Sequence, residues 1–229
     1  MKKILYAVSA VVLAAGSAQA AVIALDLPGA GTNANGTVVT TSVADASGAT
    51  FDIQYTLGSI SASNNPFVYV DGGEMGVGSD GDIATHLNTL EGDDGEGISF
   101  TSLSLANFNA GASGLTVGDF ANLTFTAVEV AWGHNANDGY DVSFTSFATD
   151  IDNLGKRSTN PETIDLTTLS NYGSPETALY MTPDNTASNN RWNITGLTVQ
   201  YTVIPEPATL GMILASGLGV LFIRRRFMM

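Results

Sequence analysis

From Ala21 to Ile204 the chain alternates apolar and polar residues in short runs, and no stretch keeps a helical 3.6-residue period for three turns. The runs are rich in Val, Ile, Thr, Phe and Tyr, and Gly, Asn, Asp and Pro break them. That pattern belongs to half-buried strands joined by tight turns. Ten strands are expected: Ala21–Leu25, Thr37–Val43, Thr50–Leu57, Phe67–Val70, Gly97–Leu105, Leu123–Trp132, Tyr140–Phe147, Thr163–Leu169, Ala178–Thr182 and Trp192–Val203. Asn137-Asp138-Gly139 is a turn signal, so Leu123–Trp132 and Tyr140–Phe147 are expected to pair as a hairpin across Gly133–Gly139. Ile83–Leu90 has room for one or two helical turns. The expected architecture is all-β: a single domain over residues 21–204, two antiparallel sheets packed as a β-sandwich or jelly roll.

The two ends follow different rules. Lys2-Lys3, the apolar run Ile4–Ala15 and Ala18-Gln19-Ala20 follow the order of a secretory signal peptide, with a cut expected after Ala20. As a helix that run rises only about 18 Å, against roughly 30 Å of hydrocarbon core, so it is too short to stay as an anchor. At the other end Pro205-Glu206-Pro207 leads into Ala208–Ile223, which has no charged residue, and then into Arg224-Arg225-Arg226. Such a helix rises about 24 Å; snorkelling arginines and local bilayer thinning make up the difference. The arginines place the C-terminus in the cytoplasm and the rest of the chain outside.

This tail resembles the PEP-CTERM sorting signal of Gram-negative exported proteins: Pro205-Glu206-Pro207, an apolar helix over Thr209–Ile223, then Arg224, Arg225 and Arg226. The resemblance covers residues 205–229. It implies an inner-membrane-anchored precursor, processing by a membrane-embedded exosortase, and a product at the cell surface or in the exopolysaccharide matrix. Signal peptidase would be the other processing enzyme. A physical reason stands beside the resemblance: two prolines hold the chain extended and remove two backbone donors, leaving Glu206 accessible to an enzyme.

The charge balance narrows the possible partners. The net charge of the chain is −14, and within residues 21–204 three Lys and Arg face 21 Asp and Glu. A surface so acidic repels polyanions and excludes a nucleic-acid partner. Without cysteine there is no disulfide, thiolate metal site or cysteine nucleophile. Gly76-Val77-Gly78-Ser79-Asp80-Gly81 spells a dinucleotide-binding fingerprint, but Asp71, Glu74, Asp80 and Asp82 around it would repel a pyrophosphate. His86 and His134 lie in no G-x-S-x-G or H-E-x-x-H context, so no catalytic residue is assigned. Asn35, Asn122 and Asn193 match a glycosylation pattern that arises easily in a chain this rich in Asn and Thr.

Two clusters remain. Asp71, Glu74, Asp80, Asp82, Glu91, Asp93, Asp94 and Glu96 put eight carboxylates within 26 residues on glycine-rich turns. Hard oxygens on permissive turns suit Ca²⁺, so Asp71, Glu74, Asp80, Asp82, Asp93, Asp94 and Glu96 are candidate ligands, although the EF-hand spacing is absent. The second cluster is a binding rim: Trp132, His134, Asn137, Asp138 and Tyr140. The expected function is that of an exported, non-enzymatic surface or matrix protein needing no cofactor other than calcium. The alternatives are a carbohydrate-binding module, with Trp132, Tyr140, Tyr172 and Trp192 as stacking aromatics, and a secreted hydrolase with paired carboxylates in one pocket. N-terminal sequencing of the protein from its native host should read Ala21 first; a pool that retains Met1–Ala20 would refute the signal peptide.

Overall fold

The computed structural model describes residues 19–46, 48–61, 65–78, 96–111, 113–132, 139–149, 151–154, 161–173, 175–183, 192–204 and 217. Among them thirteen strands form: β1 (Gln19–Leu25), β2 (Gly31–Asn33), β3 (Val38–Ala44), β4 (Thr50–Ile60), β5 (Phe67–Asp71), β6 (Glu74–Gly78), β7 (Gly97–Asn109), β8 (Phe120–Trp132), β9 (Tyr140–Ser143), β10 (Asp152–Asn153), β11 (Glu162–Asp165), β12 (Leu179–Pro183) and β13 (Trp192–Val203). Sheet A has seven strands in the order β11–β8–β13–β6–β5–β2, with β1 also paired to β13; sheet B has six, in the order β10–β9–β12–β7–β4–β3. Every pairing is antiparallel. The all-β expectation, with two antiparallel sheets, therefore holds.

Four local expectations need correction. Leu123–Trp132 and Tyr140–Phe147 do not form a hairpin: β8 pairs with β11 and β13 in sheet A, whereas β9 pairs with β10 and β12 in sheet B. The strand from Tyr140 stops at Ser143, whose hydroxyl accepts from the Thr145 and Ser146 amides and donates to the Thr149 carbonyl. Such local side-chain bonding draws the backbone out of the ladder. The strand expected over Thr163–Leu169 ends at Asp165, because its carboxylate accepts from Thr167 N at 3.0 Å and caps a 3₁₀ turn, Leu166–Thr168. Glu74–Gly78, which lies outside the ten expected strands, is strand β6, reached from β5 by a two-residue turn with Gly72 and Gly73 at φ 59° and 88°. Positive φ at both positions is the hairpin conformation glycine adopts without strain. The Gly76 fingerprint therefore begins inside a strand, not at the strand-to-helix turn a pyrophosphate requires.

The inner faces of the two sheets meet in one apolar cluster. Its aromatic residues lie in three tiers. At the end where β13 finishes, Phe51 of β4 sits 4.9 Å from Phe120 and 5.3 Å from Tyr201, with Phe108 of β7 beside Phe120 at 5.4 Å. Halfway along, Phe100 lies between Tyr55 and Phe125 at 5.7 and 6.4 Å. At the start of β13, Trp192 meets Tyr140 edge-on at 5.7 Å. Each tier joins side chains from both sheets, and such pairs add stability beyond their buried area.

Three bulges make room for these rings. Ser102, Asn107 and Asn122 have φ of 56°, 49° and 55°. At each, two residues of one strand oppose a single aromatic of its partner: Tyr55, Phe51 and Tyr201 respectively. The residue after each bulge, Leu103, Phe108 or Leu123, belongs to or packs on the core. A left-handed residue at the first bulge position is the usual device for this bend, and Asn tolerates it best after glycine. Asn122 is exposed, so its role is conformational. Asn122→Val should therefore destabilise the protein by about 1–2 kcal/mol, while Asn122→Gly should leave it nearly unchanged. Urea denaturation of the two variants separates the outcomes.

Candidate functional site

The expected site residues do not come together as one site. Asp80, Asp82, Asp93 and Asp94 of the acidic cluster lie outside the described residues, as do Glu91, His86, His134, Asn137 and Asp138. So do residues 1–18, where a signal peptide is expected, and, apart from Gly217, residues 205–229. Among the described residues, no helix is long and apolar enough to cross a membrane.

Asp71 is exposed on the β5–β6 turn, and Glu96 is buried just before β7. Glu74, on the first position of β6, accepts from Asn193 Nδ2 of β13 at 3.0 Å. Among the described residues, no three His, Cys, Asp or Glu gather as a metal-binding group. Asn193 is 8 % exposed and tied to Glu74, which withdraws it as a glycosylation acceptor. Asn35 is likewise committed: its Oδ1 accepts from Ser59 N at 2.6 Å and Oγ at 2.7 Å.

The rim is also changed. Tyr140 is 1 % exposed and packs on Trp192, so it belongs to the core rather than to a ligand rim. Trp132 is the last residue of β8, paired with Trp192 across the ladder. Tyr172 is half-buried, its ring 5.3 Å from Phe144 and its hydroxyl 2.9 Å from Thr124 Oγ1. Of the four aromatics considered for sugar stacking, Tyr140 and Trp192 are buried and Tyr172 is half-buried, and the side chain of Trp132 lies outside what the structure describes.

Sequence reasoning did not anticipate an open cleft of about 390 Å³. It is lined by Phe144, Thr145, Ile151, Asp152, Ser170, Asn171 and Glu176, so two carboxylates face it. Their hydrogen bonds are structural. Asp152 accepts from Ser170 Oγ at 2.5 Å and Asn171 N at 3.2 Å, joining β10 to the segment after the 3₁₀ turn Leu166–Thr168. Glu176 accepts from Gly173 N at 2.7 Å, while its own amide donates to Thr124 Oγ1. Because these residues come from three separate segments, nothing in their sequence spacing announces the cleft.

The other organised feature is the end of β13. β13 stays paired to its last residue, Val203, which faces Gln19 of β1 on one side and Phe120 of β8 on the other. Ile204 then donates its amide to the Asp119 carbonyl at 2.6 Å. Asp119 is held in turn: its carboxylate accepts from Thr116 N at 2.6 Å and Thr116 Oγ1 at 2.8 Å. Two residues before the end of the strand, Tyr201 donates its hydroxyl to Asp45 Oδ1 at 3.0 Å, closing the exit end onto the β3–β4 connection. Comparison of the chain with family models, curated proteins and solved structures gives no match.

Burial, and after it the Asp45 carboxylate, pushes the Tyr201 phenol well above its ordinary pKa. Burial and the Asp26 charge do the same for Tyr55. A phenol whose folded pKa is raised contributes stability that is fully present below its unfolded value of about 10 and is lost as pH rises through the folded value. Melting temperature should therefore fall as pH rises above about 10, and Tyr201→Phe should flatten that fall while lowering stability near neutrality. A pH series of melts on both proteins is the check.

Proposed function

We propose that the chain is an exported surface or matrix protein with a structural, non-enzymatic role, and that residues 205–229 are an address separate from the fold. The observation that carries this reading is the hand-off at Val203–Ile204. Strand pairing runs up to Val203, Ile204 is fastened to Asp119, and Pro205-Glu206-Pro207 follows without a linker. Pro205 has no N–H with which to extend the ladder. The described apolar cluster draws its residues from segments between Ala21 and Val203.

The tail then acts by its own chemistry. The apolar run holds the precursor in the inner membrane, the arginines fix its topology, and the triplet is presented next to a tightly closed sandwich end for exosortase. Export through a signal peptide cut after Ala20 comes first; it removes Gln19 and Ala20 and leaves Ala21–Leu25 of β1 paired with Leu197–Tyr201, while Val203 keeps its partner Phe120 in β8. Release to the cell surface or extracellular matrix follows processing. The structural role draws support from the cleft carboxylates, whose oxygens bind the protein's own hydroxyl and amide groups.

A chain stopped after Ile204 should be exported, fold, and melt within a few degrees of the processed protein, yet be lost from the membrane fraction. Fractionation and a thermal melt test both halves. A truncated chain that stayed in the membrane, or failed to fold, would make the tail part of the structure and overturn the proposal.

A further inference from the structure

Most described buried polar groups have hydrogen-bond partners, and the exceptions mark an unexpected place. Asn193 Oδ1 and Thr195 Oγ1 are both fully enclosed and accept no hydrogen bond. They stand two residues apart on β13, between the inward Trp192, Ile194 and Leu197, and so share the outer face of sheet A. Burying such oxygens without a donor costs about 1–3 kcal/mol each. Hydrogen bonds made elsewhere on the strand do not offset that cost, and a cation seated against the two oxygens would.

The neighbours supply its chemistry. The far end of the Asn193 amide donates to Glu74 Oε2 at 3.0 Å, so the unpartnered oxygen sits beside that same carboxylate. Ile194 pairs with Met75, which puts Glu74 level with Thr195 on one flank of β13. On the other flank Glu129 pairs with Gly196. A Cβ at Gly196 would lie 3.2 Å from Glu129 Oε2, so the missing side chain lets this carboxylate lean over β13.

We propose that the outer face of sheet A at the start of β13 binds one hard divalent cation, of the calcium class, between the carboxylates of Glu74 and Glu129, with Asn193 Oδ1 and Thr195 Oγ1 as neutral oxygen ligands. Carboxylates, an amide oxygen and a hydroxyl form a hard-oxygen set, with water filling the remaining positions. Only Glu74 is shared with the acidic cluster read from the sequence. The site stands on strands rather than on loops, and it uses β13, the strand that leads to the exit.

The test is calorimetric titration of the full-length chain in detergent with CaCl₂, together with melts in chelator and in calcium. Calcium should bind with a stoichiometry of one and raise the melting temperature, with Mg²⁺ markedly weaker because of its stricter geometry. Glu74→Gln and Glu129→Gln should each weaken calcium binding about tenfold or more, whereas Asp71→Asn on the adjoining turn should leave it within about twofold. A combined Asp80, Asp82, Asp93 and Asp94 to Asn variant should likewise retain binding. If the unaltered chain takes up no calcium, or if binding survives both Glu variants and disappears in the combined Asn variant, the proposal is overturned. Glu129 is half-buried and makes no described hydrogen bond through its side chain, so its variant should fold and keeps the test decisive even if Glu74→Gln does not.

Discussion

Everything in sheet A depends on one strand having two occupied flanks. Strand β13 pairs with β8 along nearly its whole length, and on its other side with β6 near its start and β1 near its end. Removing it would separate β8 and β11 from the rest of the sheet and leave β1 without any strand partner. Its inward residues, from Trp192 to Tyr201, also reach two of the three aromatic tiers that bind sheet A to sheet B. The same twelve residues therefore organise the hydrogen bonds within one sheet and the apolar contacts between the two.

The bulges show how this double duty is reconciled with close packing. A regular antiparallel ladder gives each residue one partner, but the rings of Phe51, Tyr55 and Tyr201 need more width than one opposing residue allows. Inserting Asn107, Ser102 and Asn122 widens the partner strand at those three points and turns the next apolar residue inward. The strain of a left-handed non-glycine residue is thus confined to the sheet edges of the bulge, where the side chain faces solvent.

The sequence made β13 legible to the residue, because Trp192–Val203 combines apolar alternation with a proline stop two residues beyond its end. It misled at the β8–β9 connection, since a turn signal such as Asn137-Asp138-Gly139 reports a change of direction and says nothing about which sheet the next strand joins. It hid β6 because Glu74-Met75-Gly76-Val77-Gly78 carries only two apolar side chains, and glycine between them looks like loop until a neighbouring strand is known. The short β2 and β10 exist only through their partners. Of the candidate site residues, Glu74 could be read from composition. The enclosed oxygens of Asn193 and Thr195 could not, because only the packing of strands distant in sequence makes them orphans.

The pairing of Gln19–Leu25 with Leu197–Val203 joins the first described strand to the last. Synthesis reaches β13 long after β1, so β1 has no template until that strand has been made. Sheet A cannot close around a partial chain. The sheet is therefore complete only once residues up to 203 are in place.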